Sequence, residues 1–236
     1  YHMAAASIDT AIRNVVAAGG DPDDIALLDN FCWYSPDVSE SLWQLKRACR
    51  ACYDYSIAFG TPLISGKDSM YNDFAGFDHE GKPVKISIPP TLLISSIGVV
   101  EDVTKMISLE AKLPGDLVYI LGETFDELGG SEYFAMFNGV GNNVPHVNAK
   151  KNRKLYNSYF RCIEKDLIAS AISVTRGGLA TALAKMSMGG LLGLNISLKN
   201  LPGKVIRDDF ALFSESQGRI LVTVAPENSE EFEKLM

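Results

Sequence analysis

The chain has 236 residues, 47% of them hydrophobic and 22% charged, a composition typical of a globular protein in water. Its length allows one large or two ordinary domains, of which we expect two, and no apolar run approaches the ~18 residues of a membrane span. The formal net charge of −7 argues against a nucleic-acid partner but leaves small anionic ligands possible.

The first predicted elements are a helix over residues 3–18 and a short strand over 25–28. Apolar residues recur at helical spacing through the first segment, and the glycine pair at 19–20 stops the helix. The strand then delivers Asp29 and Asn30 at its C-terminal end, where ligands of α/β folds gather. Asp29 is therefore a candidate ligand contact, with a turn-forming or helix-capping aspartate as an equal alternative.

A second helix is predicted from Asp37-Val-Ser-Glu40, which resembles a capping box, to about Ala58. It carries a Cys-x-x-Cys pair, a spacing found in zinc ribbons and redox sites. Four of its residues recur on one helical stripe, so we favour thiols that face a core as small hydrophobic groups: Leu42, Leu45, Cys49 and Cys52. The chain starts with a helical pattern and no signal-peptide layout, so we expect a reduced, cytoplasmic protein.

The stretch that follows has the character of a ligand site. Residues 62–64 predict a short buried strand, which a Ser-Gly pair breaks into a turn. That turn presents three polar side chains together: Lys67, Asp68 and Ser69. Backbone N–H groups near a glycine bind anions, the lysine adds positive charge, and the two oxygen-bearing side chains suit hydrated Mg²⁺ or phosphate. P-loop spacing fails, because five residues separate Gly60 from Gly66. A plain polar turn is an equal alternative.

A hairpin and two strands complete the first half. The hairpin tip is predicted at His79-Glu80-Gly81-Lys82, which makes His79 a solvated loop residue. β-branched residues predict strands over 85–88 and 92–100, separated by a Pro-Pro break. Residues 84–100 are nearly free of charge after Lys85, which is unusual for a solvated sheet face.

The second half repeats a pattern of strand, glycine turn and helix after residues 101–116, where we place the domain boundary. Glycine turns at 129–131 and 176–178 precede helices, where unpaired N–H groups suit an anion, although an ordinary turn is the commoner explanation of the first. The Ser-Glu-Ser-Gln run at 214–217 either holds polar ligand groups or is an ordinary exposed loop. The other predicted elements are strands over 117–121, 171–174, 195–198 and 219–224, a helix over 148–169 with an apolar core face, and a helix over 179–188.

Six motifs in one order give the chain a family resemblance. They are YHMAAASIDTAIRN, ALLDNF, SGKDSMYND, LGGSEY, the glycine turn at 176–178 and SESQGR. Over essentially the whole chain they resemble the second, internally duplicated half of the synthetase subunit of phosphoribosylformylglycinamidine synthase, a member of the aminoimidazole ribonucleotide synthetase-like superfamily. The resemblance implies an α/β fold with mixed sheets. Its N-terminal domain is expected over 1–104, with the start missing, and its C-terminal domain over 113–236, with the end truncated.

The same resemblance implies a ligase activity. That family converts formylglycinamide ribonucleotide to formylglycinamidine ribonucleotide in purine biosynthesis, using ATP, Mg²⁺ and ammonia from glutamine. Its catalytic histidine lies in the other half of the protein, so no catalytic residue is expected in this chain, which should be inactive alone. The alternatives are a non-catalytic scaffold half with a structural or vestigial nucleotide site, and another ATP-using member of the superfamily.

The implied site residues follow from matching positions. Asp29 and Gly66 match contacts to ATP, and Ser69 matches a contact to formylglycinamide ribonucleotide. Lys67 departs from the asparagine that serves Mg²⁺ in the compact bacterial form, so the lysine is expected to meet a nucleotide phosphate. Asp68 is then the candidate for Mg²⁺.

The implied partners are the first half of the same protein and a glutaminase subunit or domain. A chain that resembles half of a pseudo-twofold pair should expose the apolar strand face that the other half covers. Residues 84–100 fit that description. We therefore expect self-pairing through these strands and a homodimer with the same patch on both chains.

Overall fold

The computed structural model describes residues 1–236 and has a mixed α/β architecture with four small sheets. The helices are α1 (His2–Ala17), α2 (Ser39–Phe59), α3 (Glu132–Met136), α4 (Ala149–Glu164), α5 (Gly178–Gly190), α6 (Asp208–Phe213) and α7 (Ser229–Leu235). The strands are β1 (Ile25–Cys32), β2 (Leu63–Ser69), β3 (Asp73–Phe77), β4 (Pro83–Ser87), β5 (Thr91–Gly98), β6 (Leu117–Leu121), β7 (Thr124–Phe125), β8 (Ser170–Ser173), β9 (Gly203–Lys204) and β10 (Ile220–Val224). None of these helices has the length and apolar character needed to cross a membrane.

The first sheet has the strand order β2-β1-β5, with β1 parallel to β2 and antiparallel to β5. Alternate residues of β1 and β5 are buried on the inner face, which α1 covers: Leu27, Phe31, Leu92 and Ile94. Side chains that alternate with these, such as Leu93 and Ile97, are exposed on the outer face. The sheet therefore has one face in the core and one apolar face in solvent.

β1 and β2 both run further than the sequence predicts. β1 continues to Cys32, so Asp29 lies inside the strand and not at its end. β2 continues to Ser69, so the predicted turn after residue 64 is wrong. Parallel pairing explains both extensions, because the register from Leu28 with Ser65 to Cys32 with Ser69 gives backbone partners to these polar residues.

The sequence predicts the C-terminal end of α2 correctly but not its N-terminal cap. The N-cap is Val38, whose side chain forms no capping hydrogen bond, so the capping box of Asp37 and Glu40 does not form. The aspartate lies one residue too early to cap this helix. At the other end, the helix stops at Phe59 and Gly60 adopts the left-handed conformation, as predicted.

The packed face of α2 is not the predicted stripe. Cys52 is buried, but Cys49 and Leu42 are exposed, so the prediction is wrong at those two positions. Ala48 and Ala51 are buried instead. Small side chains let two helices approach closely, and α1 is the element that α2 contacts most.

The β3–β4 hairpin follows the prediction. Its turn lies at 78–82, between the two paired strands, which confirms the predicted tip. The side chain of His79 is 90% exposed, so this histidine is a solvated loop residue.

The second sheet is antiparallel, with the order β6-β10-β8, and every residue of its central strand β10 is buried. Apolar residues of α4 and α5 pack in the cores on either side of it. The strands predicted over 117–121, 171–174 and 219–224 are confirmed to within one residue at each end. The strand predicted over 195–198 is wrong, because these residues join no ladder and β9 pairs with β7 instead.

A buried ion pair on α1 reaches into the second half of the chain. Asp9 and Arg13 lie one helical turn apart, form an ion pair and have fully buried side chains. Asp9 also accepts hydrogen bonds from the Tyr156 hydroxyl at 2.7 Å, the Asn152 amide at 2.8 Å and the Gly218 N–H at 3.0 Å. Every one of these donors comes from α4 or from the turn before β10.

The guanidinium of Arg13 finds its hydrogen-bond acceptors in the same region of the chain. Its Nε donates to the Ser173 hydroxyl at 2.8 Å and its Nη2 donates to the Val174 carbonyl at 3.1 Å. Around this pair, a continuous core of 29 buried residues includes members of α1, β1 and α2 and of α4 and β10. The division into domains 1–104 and 113–236 stays a prediction, but the two parts share one core.

Candidate functional site

β1 and β2 bring two of the predicted site residues together. Asp29 lies opposite Gly66 in the parallel register. Its carboxylate folds across the glycine, because a Cβ added to Gly66 would lie 2.7 Å from Asp29 Oδ1. The glycine therefore allows a side chain to approach the backbone, and it does not form the turn that the sequence predicts.

Strand alternation separates the predicted polar trio. Gly66 and Asp68 point to the same face of β2, the face that carries Asp29 on β1. Lys67 points to the opposite, outer face. The predicted turn that presents Lys67, Asp68 and Ser69 together is therefore wrong. Because β2 is the edge strand of its sheet, a ligand at that edge can still reach side chains from both faces.

The inner face of this edge is acidic. Burial raises the pKa of Asp29, a backbone hydrogen bond lowers it, and the negative charge of Asp68 raises it further. Partial desolvation and the charges of Asp68 and Asp29 also raise the pKa of the Cys49 thiol on α2. The two carboxylates therefore concentrate negative charge that a cation would relieve, and carboxylate oxygens are ligands that Mg²⁺ prefers.

Ser69 ends β2 in a polar loop with Asn72. Its hydroxyl donates to Asn72 Oδ1 at 3.0 Å, and the Asn72 amide donates to the carbonyl oxygens of Trp33 at 3.0 Å and of Ser69 at 2.6 Å. The hydroxyl oxygen of Ser69 keeps lone pairs for a ligand donor. Sequence reasoning missed the role of Asn72, although an asparagine just after a strand is a turn signal.

The polar motifs of the second half meet at Glu215. Its Oε1 accepts the N–H of Gly177 at 2.9 Å, where α5 begins, and the N–H of Glu132 at 3.0 Å, where α3 begins. A carboxylate of the chain thus occupies the place where the glycine turns suggest an anion. Burial raises the pKa of Glu215, while the Gly177 N–H and the charges of Arg176 and Arg219 oppose that rise. Sequence reasoning missed this contact, since the partners lie 38 and 83 residues away in the chain.

The Ser-Glu-Ser-Gln run is a structural turn. Ser214, Ser216 and Arg219 are buried, so the interpretation of this run as an ordinary exposed loop is wrong. The Arg219 guanidinium donates to the Ser216 carbonyl at 2.9 Å and to the Thr124 hydroxyl at 3.0 Å. These contacts tie the turn before β10 to β7.

Known proteins of similar sequence and structure share this architecture. Residues 114–236 match the family model for the C-terminal domain of AIR synthase related proteins. The chain is 36% identical over 233 residues to the phosphoribosylformylglycinamidine synthase subunit PurL of Methanocaldococcus jannaschii, across 98% of this chain and 31% of that relative. The chain therefore spans about three tenths of the length of the curated relatives it matches.

Solved structures of PurL from Thermotoga maritima share the fold. The complex with FGAR has a TM-score of 0.73 at 18% identity, over 98% of this chain and 36% of that chain. The complex with ATP has a TM-score of 0.68 at 20% identity, over 100% of this chain and 35% of that chain. With the family model, these likenesses confirm the predicted α/β class and its aminoimidazole ribonucleotide synthetase-like type.

We predict that the substitution Asp68→Asn lowers the pKa of Asp29. It keeps the shape of the side chain but removes the negative charge that raises that pKa. An NMR titration that follows the Asp29 carboxyl carbon should show a lower pKa in the variant and no change in Asp208→Asn, an exposed site on α6.

The raised pKa of Asp29 also makes the free energy of unfolding depend on pH. Because the pKa of Asp29 is raised by folding, its stabilising contribution is present below its unfolded pKa and is lost as the pH rises through its folded pKa. The variant should lose less stability over that pH range than the wild type. An unchanged Asp29 titration in Asp68→Asn would show that the two carboxylates do not interact.

Proposed function

The chain belongs to the AIR synthase related family, and from this premise we propose that it is part of a phosphoribosylformylglycinamidine synthase. In this proposal the whole protein is a ligase that converts formylglycinamide ribonucleotide to formylglycinamidine ribonucleotide, with ATP and with glutamine as nitrogen donor. The observation that carries it is the Asp29 carboxylate folded across Gly66 at an open sheet edge. The similar PurL structures with FGAR and with ATP support this choice of ligands.

The two strands give each proposed contact a physical role. Gly66 leaves the backbone of the edge strand accessible, and Asp29 offers a carboxylate to donor groups of the nucleotide. Lys67, on the outer face of the same strand, reaches a phosphate around the strand edge. Ser69, one residue beyond Asp68, offers its hydroxyl oxygen to the formylglycinamide ribonucleotide.

Asp68 is the proposed Mg²⁺ ligand. Mg²⁺ is usually held in nucleotide sites by one or two carboxylates and by the phosphates themselves, and this face presents two carboxylates, on Asp29 and Asp68. The ion would supply charge that stabilises the phosphates during transfer. The residues of this chain bind and orient the nucleotide, and they move no proton.

The chain has no assigned catalytic residue. Its three histidines lie at the start of α1, at the β3–β4 hairpin tip and in the loop before α4: His2, His79 and His146. In this proposal the catalytic residue comes from another part of the protein and the ammonia from a glutaminase subunit or domain. The isolated chain should bind nucleotide without turning it over.

We predict that the chain binds ATP with Mg²⁺ and that Asp29→Asn weakens this binding about tenfold or more, since a hydrogen bond to a charged group contributes ~1.5–3 kcal/mol. Isothermal titration calorimetry measures the ATP affinity of the wild type and of the variant. Asp208→Asn is the matched control, because it makes the same chemical change at an exposed site on α6 and should leave the affinity unchanged. A folded chain that binds no ATP while the full-length protein binds it normally would refute the nucleotide site.

The outer face of the first sheet supports a further proposal, a homodimer. Its exposed apolar side chains include Leu93 and Ile97, each 58% exposed. Both lie on β5, opposite Asn30 and Ala26 of β1 in the antiparallel register. Contiguous apolar patches of this kind mark interfaces, and pairing the same patch on two chains closes the assembly.

We predict a dimer mass by light scattering at micromolar concentration. The double substitution Leu93→Glu with Ile97→Glu should yield monomers, because it places charges in the contact. The control pair Val103→Glu with Ile206→Glu changes exposed apolar residues outside this sheet and should leave the mass unchanged. A wild-type mass near the monomer value of 25.7 kDa contradicts the proposal.

A further inference from the structure

The exposed side of α4 carries a basic stripe in a chain whose net charge is −7. Four cations recur there at the spacing of one helix face: Lys150, Arg153, Lys154 and Arg161. We call this set the α4 basic stripe. On the other side of the helix, Tyr156, Tyr159 and Ile163 are buried in the main core. The helix is therefore anchored, and it holds the stripe towards solvent.

Most of this positive charge is not neutralised within the chain. Lys150, Lys154 and Arg161 take part in none of the ion pairs of the structure, whereas Arg153 pairs with Asp23 at 2.8 Å. Lys151, the remaining cation of this run, points elsewhere and pairs with Glu123 at 2.6 Å. An uncompensated cluster of one sign attracts ligands of the opposite sign.

The stripe lines a depression that has room for a partner. A cavity of about 590 Å³ lies between the stripe and Ala58 near the end of α2, with Asn157 and Ser158 in its wall. The wall of this depression is therefore polar and positively charged, which suits a ligand that carries carboxylates.

We propose that the α4 basic stripe docks an acidic segment of another polypeptide. Carboxylates of the segment pair with Lys150, Lys154 and Arg161. The stripe extends over twelve residues of helix, or roughly 16 Å, which exceeds the size of a single phosphate group and suits an extended or helical chain. This inference is independent of the nucleotide site on β1 and β2.

The surroundings of the stripe favour a polypeptide over a nucleic acid. Tyr156 and Tyr159 of α4 are fully buried, and Phe160 lines a separate depression with Glu101 and Glu164, so no aromatic side chain of this helix offers the depression a surface on which bases stack. Both classes can be compared directly in one binding assay.

The test uses the whole chain and a fluorescent peptide of alternating Glu and Ala, about 16 residues long so that it can cover the stripe. Anisotropy should show salt-sensitive binding of this peptide and no binding of its Gln-Ala analogue. Oligothymidylate and tripolyphosphate serve as competitors, which should displace the peptide poorly. If either competitor binds more tightly than the acidic peptide, or if the Gln-Ala peptide binds equally well, the proposal is wrong.

Charge-reversal variants of the α4 basic stripe test whether the peptide binds there. The variant K150E/K154E/R161E should bind the acidic peptide at least about tenfold more weakly than the wild type. The control K185E/K199E/K204E makes the same change in net charge at exposed lysines elsewhere and should stay within about twofold of the wild type. The neutral variant K150Q/K154Q/R161Q checks the result if the reversal unfolds α4. Equal losses in the stripe and control variants would show a general charge effect and overturn the assignment.

Discussion

The buried ion pair of Asp9 and Arg13 is the constraint that joins the two halves of this chain. Burying two charges away from water costs free energy unless hydrogen bonds satisfy them. Here α4, β8 and the turn before β10 supply those hydrogen bonds. Removing one partner of such a pair typically costs ~3–5 kcal/mol, because it strands the other charge. Since α1 also covers the inner face of the first sheet, with Ser96 bonded to the Ala11 carbonyl at 2.8 Å, the pair fixes how the two sheets lie.

This joint leaves one edge of the first sheet open. β2 has a partner on one side only, and its glycine admits the Asp29 carboxylate across the backbone. The second half, by contrast, uses its own carboxylate at Glu215 to satisfy the N–H groups that begin α3 and α5. The polar motifs of the two halves therefore have different structural roles. Those on β1 and β2 lie at an open sheet edge, while those before β10 hold the second half together.

Local patterns predicted most helices and the strands of the second sheet, because apolar spacing alone decides them. The sequence predicts that β1 ends before Asp29 and that β2 breaks into a turn at Gly66, because both residues are common in turns until each strand gains its neighbour. Asp9 and Arg13 look like solvent-facing residues of an amphipathic helix, and their partners lie 143 to 209 residues away. The candidate residues Asp29 and Gly66 were identified by motif, but their side-by-side placement depends on strand register. No local pattern contains that information.

The central claim is that nucleotide binds at the β1–β2 edge, and hydrogen exchange tests it most directly. Exchange would be compared in the chain alone and with Mg²⁺ and a non-hydrolysable ATP analogue at saturating concentration. Amide groups within 29–32 and 63–69 should exchange more slowly with the ligand, because it covers the open side of β2. Protection confined to the glycine turns at 129–131 and 176–178, with both strands unchanged, would contradict the account.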